Sequence, residues 1–384
     1  MAAHSLTREA GLQIKEALEK SGGNLTIAAH SLGMKRNTFC SRHASAVRLG
    51  FIEPQQQRIG LPVQPTVGIP AASSTLYDAD GLVKLQWIKT KEGRDPAVWA
   101  EQVKEVFANT APIKPVALRR HHCNSQLLTC YPIGDHHVGM YSWAAETGND
   151  YDIEIAEQLL VSAMRHLVEQ APASERAVIA GLGDFWHVDN TKAETSRSGN
   201  HLDVHTRYPN MVRAGLKMLR TVIECALTKH KHVRVLCAVG NHDDIGAIWL
   251  SQALNLLYSA NERVEVETSP SKFHYVRHGR TLIGVTHGDT GKPEKLHAVM
   301  SVDRAQDWGE TRHRYWLTGH VHTRKVIEFP GVLWETFRVL SPTDAWATAA
   351  GYRSGRDMHC IVYHAEHGEI SRNRFDVSMM QEGA

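Results

Sequence analysis

Five short apolar runs in this 384-residue chain each end in residues able to bind a metal ion or move a proton. Leu127 to Ile133 leads into Gly134-Asp135-His136-His137, and Ala177 to Leu182 into Gly183-Asp184-Phe185-Trp186-His187. Val233 to Val239 leads into Gly240-Asn241-His242-Asp243, Thr281 to Thr286 into His287-Gly288-Asp289, and Tyr315 to Thr318 into Gly319-His320-Val321-His322. Each run is about as long as one buried strand. Open α/β sheets take their ligands in the crevice beyond the carboxyl ends of the strands, which is where these amides, imidazoles and carboxylates would stand. Taken alone, Asn241-His242-Asp243 also reads as a polar turn that caps the next helix. A series of five in order does not.

The elements that must position these endings are legible between them. Ile153 to Gln170, Val212 to Lys229 and Ile245 to Ala260 carry apolar residues at helical spacing, so strands and helices alternate as in a layered α/β sandwich. The series DxH, GDxxx, GNHD, H and GHxH over roughly residues 127 to 375 resembles the calcineurin-like metallophosphoesterase superfamily. The resemblance implies a four-layer sandwich, two mixed β-sheets flanked by helices, with a two-metal site at the strand ends. It assigns Asp135, His137 and His322 to one metal, Asn241, His287 and His320 to the other, and Asp184 as the bridge between ions about 3.5–4 Å apart. It further implies a metal-activated hydroxide as nucleophile. His242 would protonate the leaving oxygen or steady the developing charge, and Asp243 would orient its ring. Manganese is the first expectation for the two divalent ions; iron, zinc and nickel suit the same donors.

Neighbouring residues read differently. By strand alternation His136 points away from its two ligating neighbours and packs. Phe185-Trp186-His187 matches the DNA-repair nuclease branch of the superfamily, with His187 a candidate second-layer or substrate residue. The protein Ser/Thr phosphatases instead carry Asp-Arg-Gly after the bridging Asp and a Glu at the end of the third motif; His187-Val188-Asp189-Asn190 and Asp243 argue against that branch. The polar segment Thr191 to Asn210, with His201, His205 and Arg207, is either a substrate-contacting loop or a solvated insertion. Arg353 and Arg356 follow Pro342 to Tyr352 as candidate phosphate contacts, with an exposed loop as the plainer reading. The strand pairs Lys325 to Phe329 with Val332 to Phe337, and Ile361 to His364 with Glu369 to Phe375, are expected to complete the second sheet.

Composition bounds the rest. The length suits two or three domains, and 42% hydrophobic residues suffice for a substantial core. A formal charge of +2 excludes a global polyanion-binding surface, so nucleic-acid affinity must come from a local patch. Among the 24 histidines, His121, His122, His230 and His232 read as surface or loop positions. Six scattered cysteines without a CxxC pair read as reduced thiols, and no basic-then-apolar leader or spanning segment is seen, so a cytoplasmic, soluble protein is expected.

The amino terminus opens with helical spacing at Ala10, Ile14, Ala17 and Leu18 after the capping candidates Ser5 and Thr7, stopped by Gly22-Gly23. A second helix runs from about Asn24 to Ser31 and a third from Lys35 to about Leu49. Ala29, Gly33 and Phe39 fall at the spacing a helix-turn-helix demands, and the module resembles those of bacterial and phage DNA-binding proteins. Its outward face would carry Lys35, Arg36, Asn37, Ser41 and Arg42. Residues 1 to 60 hold eight Lys or Arg and four Glu, and 8 − 4 gives a local charge of +4 that suits a phosphate backbone. The organisation expected is a helix-turn-helix domain over 1–52, a linker over 53–74 rich in Gln, Pro, Gly and Ser, an extension over 75–125 and the phosphoesterase domain over 126–384. Within the extension a hairpin turns around Asp78 to Gly81, and a helix spans about Pro96 to Ala108.

These features point to a two-metal-dependent phosphodiesterase acting on DNA, delivered by its tethered module. The domain pairing resembles proteins of phage and prophage genomes, which would place the protein in a host cytoplasm. The alternatives are a phosphodiesterase or phosphatase for a cyclic nucleotide or other small phosphoester, and a DNA-binding regulator whose core holds metals with little turnover. DNA is the expected partner, no membrane is, and a homodimer is left open.

Overall fold

In the computed structural model the described residues are 7–21, 25–51, 73–77, 83–87, 116–118, 123–195 and 199–380. The chain divides into two units, Met1–Gly93 and Arg94–Ala384.

In the first unit, α1 (Arg8–Lys20), α2 (Leu25–Ser31) and α3 (Arg36–Arg48) pack as a small bundle. Thr7 caps α1, its hydroxyl accepting from the N–H of Ala10 at 3.3 Å, and the other capping candidate, Ser5, lies outside the described residues. Ile14, Ala17, Ala28, Ala29, Phe39 and Ala46 form the core. Gly33 takes a left-handed φ of 61° that lets the chain turn between α2 and α3, and the N–H of Met34 closes the turn on the carbonyl of Ala29. The expected hairpin is present as the antiparallel pair β1 (Ser73–Tyr77) and β2 (Val83–Trp87). The expected stop at Gly22-Gly23, most of the linker and the helix near 96–108 lie outside the described residues.

The second unit is a four-layer sandwich. One sheet has the order β13-β12-β3-β4-β5-β6, built from β3 (Asn124–Ile133), β4 (Ser174–Gly181), β5 (His232–Cys237), β6 (Val264–Val266), β12 (Asp357–His364) and β13 (Gly368–Asp376). β3 to β6 run parallel, and β12 and β13 close the edge antiparallel. The other has the order β10-β11-β9-β8-β7, from β7 (His274–His278), β8 (Thr281–Val285), β9 (His313–Thr318), β10 (Lys325–Phe329) and β11 (Val332–Thr336). Leu128, Val178, Leu236, Ile283, Leu317 and Phe337 fill the space between the two faces.

Four short helices lie outside the three long ones, in chain order: α4 (Ala144–Thr147), then α5 (Ile153–Gln170), α6 (Tyr208–Leu227) and α7 (Gly246–Tyr258), then α8 (Pro293–Asp303), α9 (Ala305–Glu310) and α10 (Ala345–Ala349). α5 buries Ala156, Leu160, Ala163, Met164 and Leu167, an i, i+3/i+4 stripe, against the first sheet, and Asp152 caps it by accepting from the N–H of Ile155 at 2.8 Å. Leu296 and Met300 of α8 cover Leu282, Trp316 and Trp334 on the outer face of the second sheet.

Two expectations are corrected. Only β10 and β11 join the second sheet; β12 pairs with β3, so the last hairpin completes the first. Its inward row Ile361 and Tyr363 is apolar enough for either sheet, and pairing direction is not written in such a pattern. His230 is no surface residue: it is buried, 2.7 Å from the hydroxyl of Tyr131 and 2.8 Å from that of Ser174. The short β6 and the edge strand β7 had no matching expectation. Across the two sheets, Arg372 of β13 donates to both carboxylate oxygens of buried Glu335 on β11, at 2.6 and 2.7 Å. Among the described residues all six cysteines are free, and no helix is long and apolar enough to cross a membrane.

Candidate metal centre

β3, β4, β5, β8 and β9 end on one side of the sandwich, and their turns bring the expected donors together. One oxygen or ring nitrogen each from Asp135, His137 and His322 lies within 4.8 Å of the others, and the same holds for Asp184, His287 and His320. The ring Nε2 atoms of His137 and His322 face each other at 3.4 Å. Asp184 Oδ2 lies 3.1 Å from His287 Nε2, and Asn241 Oδ1 lies 3.0 Å from the same nitrogen. Every expected ligand is therefore at one site.

The backbone is bent to achieve this. Among the described residues five non-glycine positions have positive φ, and four of them are His137 (49°), Asp184 (49°), His320 (68°) and His322 (52°). Left-handed conformations cost L-residues free energy and gather at functional sites, where the surrounding fold holds them. The preceding glycines have a steric reason. A Cβ on Gly240 would stand 2.0 Å from Asp184 Oδ1, one on Gly319 2.4 Å from Asp135 Oδ2, and one on Gly183 2.6 Å from His287 Nδ1. Any side chain there would displace a donor.

A second layer of contacts fixes the donors. His287 donates Nδ1–H to the carbonyl of Leu182 at 2.9 Å, which leaves Nε2 free to ligate. Both oxygens of Asp135 accept from the N–H of His320, and the hydroxyl of Ser341 donates to the Asp135 carbonyl at 3.0 Å. Ser341 was not foreseen; nothing in its sequence surroundings marks it. His187 Nδ1 lies 3.3 Å from His137 Nδ1. Burial, helped by neighbouring His242, pushes the His187 imidazole down to about 3, so it is a neutral ring against the ligand.

His242 differs from expectation in what holds it. Its Nδ1 donates to the carbonyl of His187 at 2.9 Å, which turns Nε2 outward, and its ring stacks on that of His187 at 5.6 Å between centroids. Asp243 does not touch the ring. It is buried and accepts from the N–H groups of Asp184, Trp186 and Gly240 at 3.1–3.2 Å, tying the ends of β4 and β5 together. The N–H of His242 in turn donates to Asp184 Oδ1 at 2.8 Å.

Charge follows the same geometry. Burial raises the Asp184 carboxyl, and His287, by charge and by hydrogen bond, more than reverses that and lowers it. Burial lowers His287, and Asp184 and Asp135 raise it above its ordinary value. Burial raises Asp243, with the charge of Asp184 adding to it. His137 is held well below its usual range by burial and by surrounding histidines, so it offers a neutral lone pair.

The remaining candidates are elsewhere or turned away. His136 stacks on Phe185 and its Nε2 donates to the Ala156 carbonyl at 3.0 Å, the packing role expected of it. Phe185 and Trp186 are core residues; a Cβ on Gly215 of α6 would stand 2.1 Å from the Trp186 ring. The aromatic pair thus faces the helices, away from any substrate. His201, His205 and Arg207 are exposed. Arg353 is exposed and donates to the carbonyls of Thr348 and Tyr352, while Arg356 binds the Leu340 carbonyl and Asn149. Lys35, Arg36, Asn37, Ser41 and Arg42 are all exposed, at the start and first turns of α3.

The sequence family described as bacterial regulatory protein, Fis family, matches residues 13–42. No curated protein matches the chain. Among solved structures, a Streptococcus pneumoniae protein described as a predicted phosphoesterase is similar at 11% identity and a TM-score of 0.27, covering 65% of this chain and 98% of its own. Vacuolar Protein Sorting 29 from Cryptosporidium parvum matches at 14% identity and a TM-score of 0.30, over 66% of this chain and 100% of its own. A 5'-nucleotidase from Candida albicans matches at 9% identity and a TM-score of 0.29, over 68% of this chain and 54% of its own. Likeness at this level is of arrangement only; the chemistry rests on the residues of the chain itself.

Proposed function

We propose that the second unit is a two-metal phosphodiesterase. The observation that supports this is that Asp135, His137 and His322 form one three-donor cluster at the strand ends and Asp184, His287 and His320 another, with His287 3.1 Å from Asp184 and 3.9 Å from Asp135. The donors fit divalent ions: two carboxylates, an amide oxygen and four imidazoles, of which His137 is held neutral and His287 presents Nε2. Asp135, His137 and His322 would hold one ion, Asn241, His287 and His320 the other, and Asp184 both. Two such ions, when bound, lower the pKa of a water and neutralise charge on the phosphate oxygens. His242, anchored through Nδ1, keeps Nε2 available to donate a proton to the leaving oxygen. His187 positions both His137 and His242, and Asp243 keeps the Asp184 turn in place.

DNA is the substrate this reading favours. A Fis-type match over residues 13–42 and five exposed polar residues at the N-cap and first turns of α3 support a duplex-binding module attached to the core. The test is to load the protein with manganese and offer bis-p-nitrophenyl phosphate, p-nitrophenyl phosphate, cyclic nucleotides, and single- and double-stranded DNA. Turnover of the diester and of DNA is expected; hydrolysis of cyclic nucleotides or monoesters with no cleavage of DNA would leave the small-phosphoester reading in its place.

A further inference from the structure

Among the described residues five large aromatic side chains are exposed, Tyr141, Trp143, Trp249, Trp346 and Tyr352, and four of them stand on just two segments. Tyr141 and Trp143 follow the ligand candidate His137 on the way to α4, while Trp346 lies in α10 and Tyr352 just past it. Large apolar residues scattered singly over a surface are ordinary; four rings gathered on two neighbouring segments are not. Both segments are pinned to the metal centre and to each other. The hydroxyl of Ser341 donates to the carbonyl of Asp135 at 3.0 Å, and the chain runs on from Ser341 through Thr343 into α10. The hydroxyl of Ser142 donates to the carbonyl of Thr343 at 3.1 Å, and α4 and α10 are in contact. Arg356 spans the same segments, donating to the carbonyl of Leu340 at 2.8 Å and to Asn149 Oδ1 at 3.0 Å. Trp346 follows Ser341 by five residues, a length of chain that reaches at most about 18 Å. The rings therefore stand at the rim of the centre.

Trp346 and Tyr352 form a pair, 6.0 Å between ring centroids with 31° between the planes, and the two residues are 71% and 53% exposed. Such a pair steadies each ring and leaves ring surface open to solvent. Charge does not dominate the rim. Arg353 and Arg356 are set against Glu146, Asp150 and Asp344, of which Asp150 and Asp344 accept from the N–H groups of Ala144 and Ala347, both at 2.7 Å. A duplex turns its phosphates outward and hides the faces of its bases, so its approach calls for a basic surface. An unpaired base offers an open aromatic face, which is what exposed Trp and Tyr rings take.

We infer that this rim stacks an unpaired nucleobase of the phosphodiester held at the metal centre, with Trp346 and Tyr352 as specificity-determining residues. The inference rests on the phosphodiesterase reading of that centre and names the class of its substrate. A base is joined through its sugar to the phosphate that the ions would hold, so a strand lying across the centre carries its bases over the rim. Every base has an aromatic face, and stacking does not read which base it is. The expected preference is therefore for unpaired over paired nucleotides, without sequence specificity from the core.

Two diesters with the same leaving group separate base from phosphate: the p-nitrophenyl ester of thymidine monophosphate, and methyl p-nitrophenyl phosphate. A single-stranded thymidine oligomer and the same oligomer with abasic sites extend the comparison along a strand. Full-length, manganese-loaded protein should favour the base-bearing member of each pair in kcat/KM. Trp346→Ala and Tyr352→Ala should each cut that advantage by about tenfold, the size of one lost base–aromatic stack, and Trp346→Phe should keep it. None of the three should change turnover of methyl p-nitrophenyl phosphate, which also shows that they fold. A loss seen on the thymidine ester places the base beside the scissile phosphate; a loss confined to the oligomer places it further along the strand. If the wild type hydrolyses these substrates with no advantage for the base, or the advantage survives in both alanine variants, the inference fails while the phosphodiesterase reading stands, and the rim is left to a protein partner. It fails also if methyl p-nitrophenyl phosphate suffers as much as the base-bearing ester, because the rings then support the centre. A wild type that hydrolyses none of the four overturns the phosphodiesterase reading and the inference with it.

Discussion

The ring of His242 is oriented by the backbone of His187, whose carbonyl accepts its Nδ1 proton at 2.9 Å, while the neighbouring Asp243 carboxylate is turned into three backbone N–H groups. The residue proposed to transfer a proton and the residue that secures the strand ends are therefore different members of one tetrapeptide. Replacing each should give a different defect.

His242→Ala should keep both metals and lower kcat by about 10²–10⁴-fold, the range for loss of a general acid. The loss should shrink on nitrophenyl esters, whose leaving groups need no proton. Parallel kinetics on a nitrophenyl diester and on DNA, with metal content measured on the same samples, decide the matter. An equal loss on both substrates would mean that the histidine acts by holding the site together.

Gly240→Ala is expected to mimic the loss of a ligand without removing one. Its new Cβ would lie 2.0 Å from Asp184 Oδ1 and 2.4 Å from the Asp184 nitrogen, so the Asp184 carboxylate must move. Asp184→Ala should lose metal and turnover on every substrate, and Gly240→Ala should approach it. Elemental analysis after dialysis checks both; a Gly240→Ala protein with full metal content and rate would show that the turn yields easily and that Asp184 is not held where it appears.

Stability should respond to acid through His230. Burial, with Lys229 adding to it, pushes this imidazole down to about 4 from 6.5. The unfolded chain then binds the proton first as pH falls, so stability is lost from about pH 6.5 downward and the loss levels off near pH 4. Between pH 7 and 5 the share of His230 is about 2 kcal/mol. Other buried histidines add to the total, so the measurement is a comparison: urea unfolding of the wild type and of His230→Gln at the two pH values. The wild type should lose about 2 kcal/mol more than the variant over that interval. Equal losses would mean that His230 is protonated in the folded state without cost.

The candidate metal centre was legible because its donors stand where short apolar runs end, four of them after a glycine. That signal singled out Asp135, Asp184, Asn241, His287 and His320, and the family resemblance gave each its expected role. What the pattern could not carry was contact between segments far apart in sequence. Ser341 reaches Asp135 across 206 residues, and the His187 carbonyl reaches His242 across 55. Phe185-Trp186 was read for its resemblance to one nuclease branch; that the Trp186 ring packs on Gly215 of α6 and Gly246 of α7 was not legible in the sequence. β12 was misplaced for the same reason: strand periodicity gives the buried face of a strand and leaves its partner open.

The preference for DNA rests on the amino-terminal bundle, and it can be removed cleanly. Ile14, Ala28, Ala29, Phe39 and Ala46 form a core of their own, and none of the described residues up to 52 contributes to the three cores of the second unit. Deleting residues 1 to 52 should therefore leave hydrolysis of bis-p-nitrophenyl phosphate nearly untouched, since every proposed ligand lies at or beyond Asp135. Cleavage of DNA should fall, chiefly through KM, and the deficit should grow as DNA becomes limiting, because the tether acts by raising the local concentration of the core along the duplex. Arg36→Ala with Arg42→Ala should reproduce part of the effect, both residues being exposed on α3. Removing one arginine–phosphate pair should reduce the slope of log affinity against log salt by about 1, so raising salt should harm the full-length protein more than the truncated one. Rates at several DNA and salt concentrations for the three proteins test this directly. If truncation left DNA cleavage and its salt response unchanged, or removed small-diester hydrolysis as well, the bundle would be a docking or folding element, and the nuclease reading would lose its support against the small-phosphoester one.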